Sequence, residues 1–215
     1  VHGGPMTGKL AKGIDVITKT SNGILVLPQD QYIVRKKNQN IAISVKQAKS
    51  VCCQCNRCTE MCPRNMIGYP IEPHAVMKNL MFVNKADVKS SLNTFFCSQC
   101  GICEMYACEQ SLSPQILISE CKTQLRNNGI AAPKDIKLSK MNELRKARMI
   151  SVERLTARLG LSKYDRAAPL SIEEISTKQV KIKLSQHIGV PSIPVVKKGA
   201  CVEEVQLIAK VKENS

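Results

Sequence analysis

Two short cysteine runs carry the residues whose type and spacing could do chemistry. The first is Cys52-x2-Cys55-x2-Cys58-x3-Cys62, followed by Pro63, and the second is Cys97-x2-Cys100-x2-Cys103-x4-Cys108. Three thiolates at such short, regular spacing can wrap around one [4Fe-4S] cube, and the fourth ligand then comes from a distance. The two runs therefore predict eight ligands for two cubane clusters.

In two-cluster ferredoxins the last cysteine of a run ligates the other cluster. This pattern assigns cluster one to Cys52, Cys55, Cys58 and Cys108, and cluster two to Cys97, Cys100, Cys103 and Cys62. Pro63 supports the crossover, because a proline ends the run and fixes the turn that sends Cys62 away from its neighbours.

Other uses of the cysteines fit less well. Structural zinc takes four ligands, usually as two separated pairs, so a third cysteine in each run would be surplus. Disulfides are disfavoured by the odd total of 11 cysteines and by the tight spacing. Catalytic thiol chemistry needs a single Cys-x2-Cys pair. The alternative kept open is a non-redox, zinc-binding interaction protein with a basic face.

Three cysteines lie outside the ligand pattern. We interpret Cys53 as a bystander between ligands, with a smaller chance that it exchanges with one of them. Cys121 shares a helical face with Leu117 and Leu125, which is typical of a buried structural cysteine. Cys201 lies in a strand-like stretch far from both runs.

The composition is basic and poor in aromatic residues. A formal net charge of +15 and 3% aromatics favour a solvated surface that steers an acidic electron carrier over nucleic-acid binding, which usually brings stacking aromatics or a recognition helix. No apolar run approaches the length of a membrane span, and the start shows no secretory signal. We expect a cytoplasmic protein, or one attached peripherally to a membrane.

Elements that could position the ligands can be predicted from local patterns. Residues 1–45 are expected to be β-structure, with a hairpin at Asn22-Gly23 between Val16–Thr18 and Ile24–Leu27. The link 63–96 is expected to be mostly helical, since Val76, Met77, Leu80 and Met81 lie on one helical face. Ser113-Pro114 predicts a helix start that Asn128-Gly129 ends, and Ser151 and Gly160 bracket another helix. Alternation predicts strands at Val180–Leu184 and Val205–Val211.

With these residues, the chain resembles the C subunit family of the Rnf electron-transport complex. It is more similar to the related cobalamin reductases of propanediol-utilisation microcompartments. The resemblance rests on the cysteine runs with the x4 spacing before Cys108, and on the segments 3–6, 18–28, 154–165, 168–170, 186–189 and 195–199. The sequence departs from the family at Glu109, where proline is usual, and at Val205, where glycine is usual.

The resemblance implies an α+β fold in four parts. A β-rich remnant of a β-grasp (SLBB) module would span 1–45, a helical two-[4Fe-4S] ferredoxin domain 46–130, a basic helical linker 131–170, and a truncated barrel-sandwich hybrid module 171–215. It implies an electron relay within an NADH-dependent reductase. The NADH and FMN sites would lie in an N-terminal domain that this sequence does not contain.

The resemblance also suggests partners and a location. Electrons would pass to a corrinoid or another carrier, and the partner would be a corrinoid adenosyltransferase or an acidic electron carrier. The chain would work in the cytoplasm, in a bacterial microcompartment, or else at the cytoplasmic membrane surface. Arg57 and Arg64 beside the ligands would favour reduced clusters if they are not simply solvated.

Overall fold

The computed structural model describes residues 1–13, 15–81, 87–170, 172, 177–186 and 189–212. Helix is the main regular structure in this part of the chain and there is little sheet, which is compatible with an α+β class. The α-helices are α1 (Tyr32–Lys37), α2 (Ile41–Val51), α3 (Arg57–Glu60), α4 (Pro63–Met66), α5 (Pro73–Met81), α6 (Val88–Leu92), α7 (Pro114–Asn127) and α8 (Val152–Arg158).

Short irregular elements join these helices. The segments Asn93–Phe96, Glu143–Arg145 and Ser162–Tyr164 are 3₁₀ turns, and Cys103–Ala107 is a π-helical turn. Two strands, β1 (Ile193–Pro194) and β2 (Ala209–Lys210), pair antiparallel, with Ile193 opposite Lys210. No helix of the described residues is long and apolar enough to cross a membrane.

Two apolar clusters hold the helices around the cysteine runs. The first, where α2, α5 and α7 pack together, buries Ala48, Met77, Leu112 and Leu117 and includes Cys52 and Cys108 at its edge. The second joins the N-terminal segment, α1 and α8 to the π-helical turn through Ile33, Met105 and Leu159, with Met6 at its edge. The cysteine runs therefore lie between two packed cores.

The predicted helices of the link and beyond are confirmed. Helices α4 to α6 occupy most of 63–96, and Val76 and Met77 are buried, while residues 82–86 lie outside the described residues. Helix α7 begins with Pro114 and ends at Asn127, followed by Gly129 at φ +74°. Ser151 caps α8, because its hydroxyl accepts a hydrogen bond from the backbone N–H of Arg154.

The prediction of β-structure throughout 1–45 is wrong. Residues 32–37 and 41–45 are helical, since the side chains of Gln31 and Asn40 cap α1 and α2 by accepting backbone N–H bonds two residues ahead. An extended segment precedes them, but Asn22-Gly23 does not form the predicted hairpin. Gly23 O accepts from Gly3 N, and Leu25 N donates to Val1 O, each at 2.8 Å. The segment 23–25 thus lies beside residues 1–3, because periodicity cannot select the pairing partner.

The two predicted strands near the end also differ from the structure. Residues 180–184 form no strand, and Val180 and Ile182 stay about half exposed, at 54% and 52%. Within 205–211 only Ala209 and Lys210 pair, because Val205 turns the chain with φ +65°. His187 and Ile188, which belong to the similarity at 186–189, lie outside the described residues.

Candidate metal centres

Two cavities are each lined by four of the predicted ligands. The first is partly open to solvent, and its wall contains Cys52, Cys55, Cys58 and Cys108. Apolar side chains complete this wall, among them Met77, Leu112 and Pro114. The structure thus brings Cys108, from the end of the second run, to the three leading cysteines of the first run.

The second cavity has the complementary composition. Its wall contains Cys62, Cys97, Cys100 and Cys103. Pro63, Ile71, Pro73, Gly101 and Ile118 also line it. Cys62 is the residue before the first turn of α4, where Pro63 occupies the first helical position and directs Cys62 away from its own run.

The cysteine loops adopt the same unusual backbone in both runs. Gln54 and Gln99, each just before the second cysteine, have φ of +55° and +59°, and Asn56 and Gly101, each just after it, also have positive φ. This backbone turns each loop around its cavity. The side-chain amides of Gln54 and Gln99 lie 3.3 and 3.5 Å from the sulfurs of Cys52 and Cys97. The sequence interpretation missed these glutamines, although their matched position in the two runs is a readable signal.

Backbone N–H groups also point at the sulfurs. Gln99 N lies 3.4 Å from Cys97 Sγ, and Leu112 N lies 3.3 Å from Cys108 Sγ. Donors of this kind stabilise a negatively charged sulfur and tune the potential of a bound iron-sulfur cluster.

Burial raises the pKa values of these thiols. The sulfurs that raise the pKa of each thiol further belong to the same cavity as that thiol. Burial first, and then the neighbouring sulfurs of Cys108, Cys52 and Cys55, together raise the pKa of Cys58 to about 12. Burial also raises the pKa of Cys103 well above its ordinary value, with added effects from Cys97, Cys100 and Cys62. These thiols are protonated without metal, so that binding metal must displace their protons.

The cysteines around each cavity have the donor chemistry of an iron-sulfur cluster. Four thiolates around zinc would converge to about 2.3 Å from one point. Among the described residues, no three cysteine, histidine, aspartate or glutamate side chains lie close enough together to hold one metal ion. Four thiols around one cavity are the donor set that a cubane requires, since a cubane takes one ligand at each of its iron corners.

The two cavities differ in their exposure to solvent. Cys55 at the first cavity is exposed, whereas Cys103 at the second is buried. Arg57 and Arg158 both form ion pairs with Glu109 beside Cys108. Arg57 is therefore offset by a carboxylate, whereas Arg64 stacks on Tyr69, 4.8 Å from the ring centre, and opposes the burial effect on the pKa of Cys97.

The remaining cysteines take no place in the two sets of four. Cys53 is exposed and lies along the wall of the first cavity. Cys121, on α7, is half-buried near the hydroxyls of Thr94 and Ser91, and Cys201 is exposed.

A buried polar network lies behind the second cysteine run. Glu104, 1% exposed, accepts a hydrogen bond from Ile116 N at the start of α7. Ser113 is the N-cap residue of α7, as predicted, but its side chain makes no capping bond, and the carboxylate of Glu104 accepts from the first turn in its place. The hydroxyl of Ser113 instead accepts from the ammonium of Lys36, which is buried in α1.

Comparison with known proteins places the cysteine runs in a described domain. Residues 51–113 match the family described as a 4Fe-4S dicluster domain. The domain match covers both cysteine runs.

Two relatives match almost the whole chain. Cobalamin reductase PduS of Salmonella typhimurium (strain LT2) is 36% identical over 98% of this chain, and cobalamin reductase PduS of Citrobacter freundii is 35% identical over the same share. The chain spans 47% of the length of each relative. No solved structure matches.

Proposed function

From the homology of this chain to cobalamin reductase PduS, and from its character as an iron-sulfur electron-transfer protein, we propose that it carries two [4Fe-4S] clusters as a relay within a reductase. The observation that carries this proposal is the pair of cavities, each lined by four of the predicted ligand cysteines, drawn from both runs. The similarity to the Rnf C subunit family stays a prediction.

We assign the ligands as the cavities group them. Cys52, Cys55, Cys58 and Cys108 would hold one cluster, and Cys97, Cys100, Cys103 and Cys62 the other. Each cluster, when bound, would supply a one-electron carrier whose potential depends on its surroundings. The chain itself orients the thiols, directs N–H donors at the sulfurs and surrounds them with apolar side chains.

The exposed side of the first cavity suggests where electrons are exchanged. Cys55 reaches solvent, so a partner could approach the first cluster more closely than the second, whose Cys103 is buried. A redox role requires a donor and an acceptor. By the name of the relatives and the family resemblance, the acceptor would be a corrinoid and the original donor NADH, acting through a flavin.

Metal analysis after anaerobic purification tests the proposal. We expect about eight irons and eight acid-labile sulfides per chain, and paramagnetic signals after reduction with dithionite. A chain with about two zinc ions and no iron would instead establish the zinc-binding interaction protein.

Single serine variants test the crossover. Cys108→Ser should lose the same paramagnetic signal as Cys55→Ser, and Cys62→Ser the same signal as Cys100→Ser. Cys121→Ser, outside both cavities, is the matched control and should keep both signals. If Cys62→Ser removed the Cys55 signal, each run would hold its own cluster and the assignment would be wrong.

The acceptor is tested separately with hydroxocobalamin as the probe. Dithionite-reduced chain, freed of excess reductant, should reduce hydroxocobalamin, followed by its visible absorption. An iron-loaded chain that leaves the cobalamin unchanged would remove the corrinoid from the proposal but leave the relay intact.

A further inference from the structure

Lys36 carries an ammonium group that is buried behind the wall of the first cavity. Its side chain belongs to α1, and the residue is only 6% exposed. Nζ donates to Ser111 O and to Ser113 Oγ, at 2.5 and 2.8 Å, and lies 3.4 Å from Gln39 Oε1. A lysine is rarely buried to this degree without specific partners.

The hydrogen bonds around Lys36 Nζ favour a protonated amine. An ammonium group has three donors and no acceptor. Three oxygens surround Lys36 Nζ, and two of them are carbonyl oxygens that can only accept. Ser113 donates its own hydrogen to Gln39 Oε1 at 3.3 Å, so its oxygen is left to accept from Lys36. Burial lowers the pKa of Lys36, while Glu104 and the sulfur of Cys108 raise it.

The ammonium is held against the segment that carries the crossover ligand. Cys108, Leu112 and Pro114 line the first cavity, and Ser111 and Ser113 alternate with them along the same segment. Leu112 N points at the sulfur of Cys108. Lys36 therefore approaches the wall from the protein side, where little water screens its charge.

No direct ion pair cancels the positive charge of Lys36 in the part of the chain that the structure describes. Glu104 is the nearby carboxylate, and its oxygens accept from backbone N–H groups at the start of α7. Within the described residues, no carboxylate lies within ion-pair distance of Lys36. Lys37 points elsewhere, because its ammonium donates to Met6 O and Gly8 O in the N-terminal segment.

We propose that the fixed positive charge of Lys36 raises the reduction potential of the cluster held by Cys52, Cys55, Cys58 and Cys108. Reduction adds one negative charge to that cluster, and a nearby cation in a dry environment stabilises the reduced form. This inference rests on the proposed function. It assigns a redox role to α1, which lies outside the matched domain at 51–113.

The test compares charge-changing variants of the full chain by potentiometric titration, with each cluster followed by its paramagnetic signal. Lys36→Gln removes the charge but keeps a hydrogen-bond donor, and Lys36→Arg keeps the charge. Lys37→Gln is the matched control from the next position of the same helix. The iron content of each protein is measured first, because about eight irons in the unaltered chain establish the proposed function independently.

We expect Lys36→Gln to lower the potential of the first cluster and to leave the second unchanged. The ratio of reduced to oxidised first cluster at a fixed potential should fall by about tenfold or more, which corresponds to about 59 mV for one electron. Lys36→Arg and Lys37→Gln should change this ratio much less.

Unchanged potentials in an iron-loaded Lys36→Gln protein would overturn the inference and leave the relay standing. An equal shift in Lys37→Gln would also overturn it, because the effect would then be general surface charge. If Lys36→Gln loaded only the second cluster while Lys36→Arg loaded both, the need for charge at this position would be supported. Loss of iron in both Lys36 variants would contradict it, since Lys36 would then serve packing alone.

Discussion

Gly68 holds a close backbone contact on which the docking of residues 139–142 depends. It follows α4 with φ +97°, and a side chain there would overlap the carbonyl oxygen of Ser139 and lie 3.1 Å from its carbonyl carbon. Ser139 N donates to Gly68 O, and Asn142 N donates to Met66 O, each at 2.9 Å. Replacing Gly68 by alanine must therefore separate two hydrogen-bonded backbones.

The cost of Gly68→Ala can be divided into two parts. A residue with a Cβ in the left-handed region costs about 1 kcal/mol or slightly more. Separating the two segments removes two backbone hydrogen bonds, at about 1 kcal/mol each. We expect the free energy of unfolding to fall by about 3 kcal/mol.

Gly129→Ala is the matched control for the cost of placing a Cβ in the left-handed backbone conformation. Gly129 also has a positive φ, of +74°, but a Cβ there would meet nothing within 4 Å. We therefore expect a loss of only about 1 kcal/mol for Gly129→Ala. The difference between the two variants measures the contact between residues 66–68 and 139–142 alone.

Urea unfolding of the iron-loaded proteins under anaerobic conditions, followed by far-ultraviolet circular dichroism, gives both free energies. Limited trypsin digestion gives an independent measure, because Lys137 and Lys140 are exposed on the segment that Gly68→Ala should release. Equal losses for the two glycine variants, with no faster cleavage in Gly68→Ala, would refute the predicted contact.

Three further predictions concern the terminal turn, the short helices and the thiols. Val205→Gly should stabilise the β1–β2 pair by about 1 kcal/mol, because valine at φ +65° is strained. Glu204→Gly, the control, should not stabilise this pair. Hydrogen exchange at the amides of Ala209 and Lys210 measures the effect of both variants. Removing iron with a chelator should melt the four-residue helices α3 and α4 before α7, since such short helices are unstable without their anchored ends; hydrogen exchange that stays equally slow in all three would contradict this. Iron binding should weaken as pH falls, because the pKa of Cys58 near 12 means that its thiol must lose a proton to bind; chelator competition at several pH values measures this, and a pH-independent affinity would contradict it.

Much of the candidate site was readable from the sequence. The cysteine spacing predicted the same two groups of four that line the two cavities, and Pro63 explained the direction of Cys62. The periodicity of α5 and the boundaries of α7 and α8 were also predictable, because helix periodicity and capping depend on residues within one or two turns.

Predictions failed where the outcome depended on distant partners. The Asn22-Gly23 signal was read as a local hairpin, but residues 23–25 bond with residues 1–3. Ser113 occupies the predicted N-cap position of α7, but the side chain of Glu104 accepts the hydrogen bond from the first turn, and Ser113 binds Lys36. In both cases the sequence offered a plausible local bond that a tertiary contact replaced.

The sequence by itself determined which thiols are candidate ligands and the chemistry that they could support, because short-range spacing limits which thiols can share a cubane. Only the tertiary structure decided which charges lie near those thiols. Arg57, two residues after Cys55, is offset by Glu109, whereas Lys36, far earlier in the chain, is buried behind Cys108. Electrostatic influence depends on distance and solvent exclusion in the folded state, and neither follows from separation along the chain.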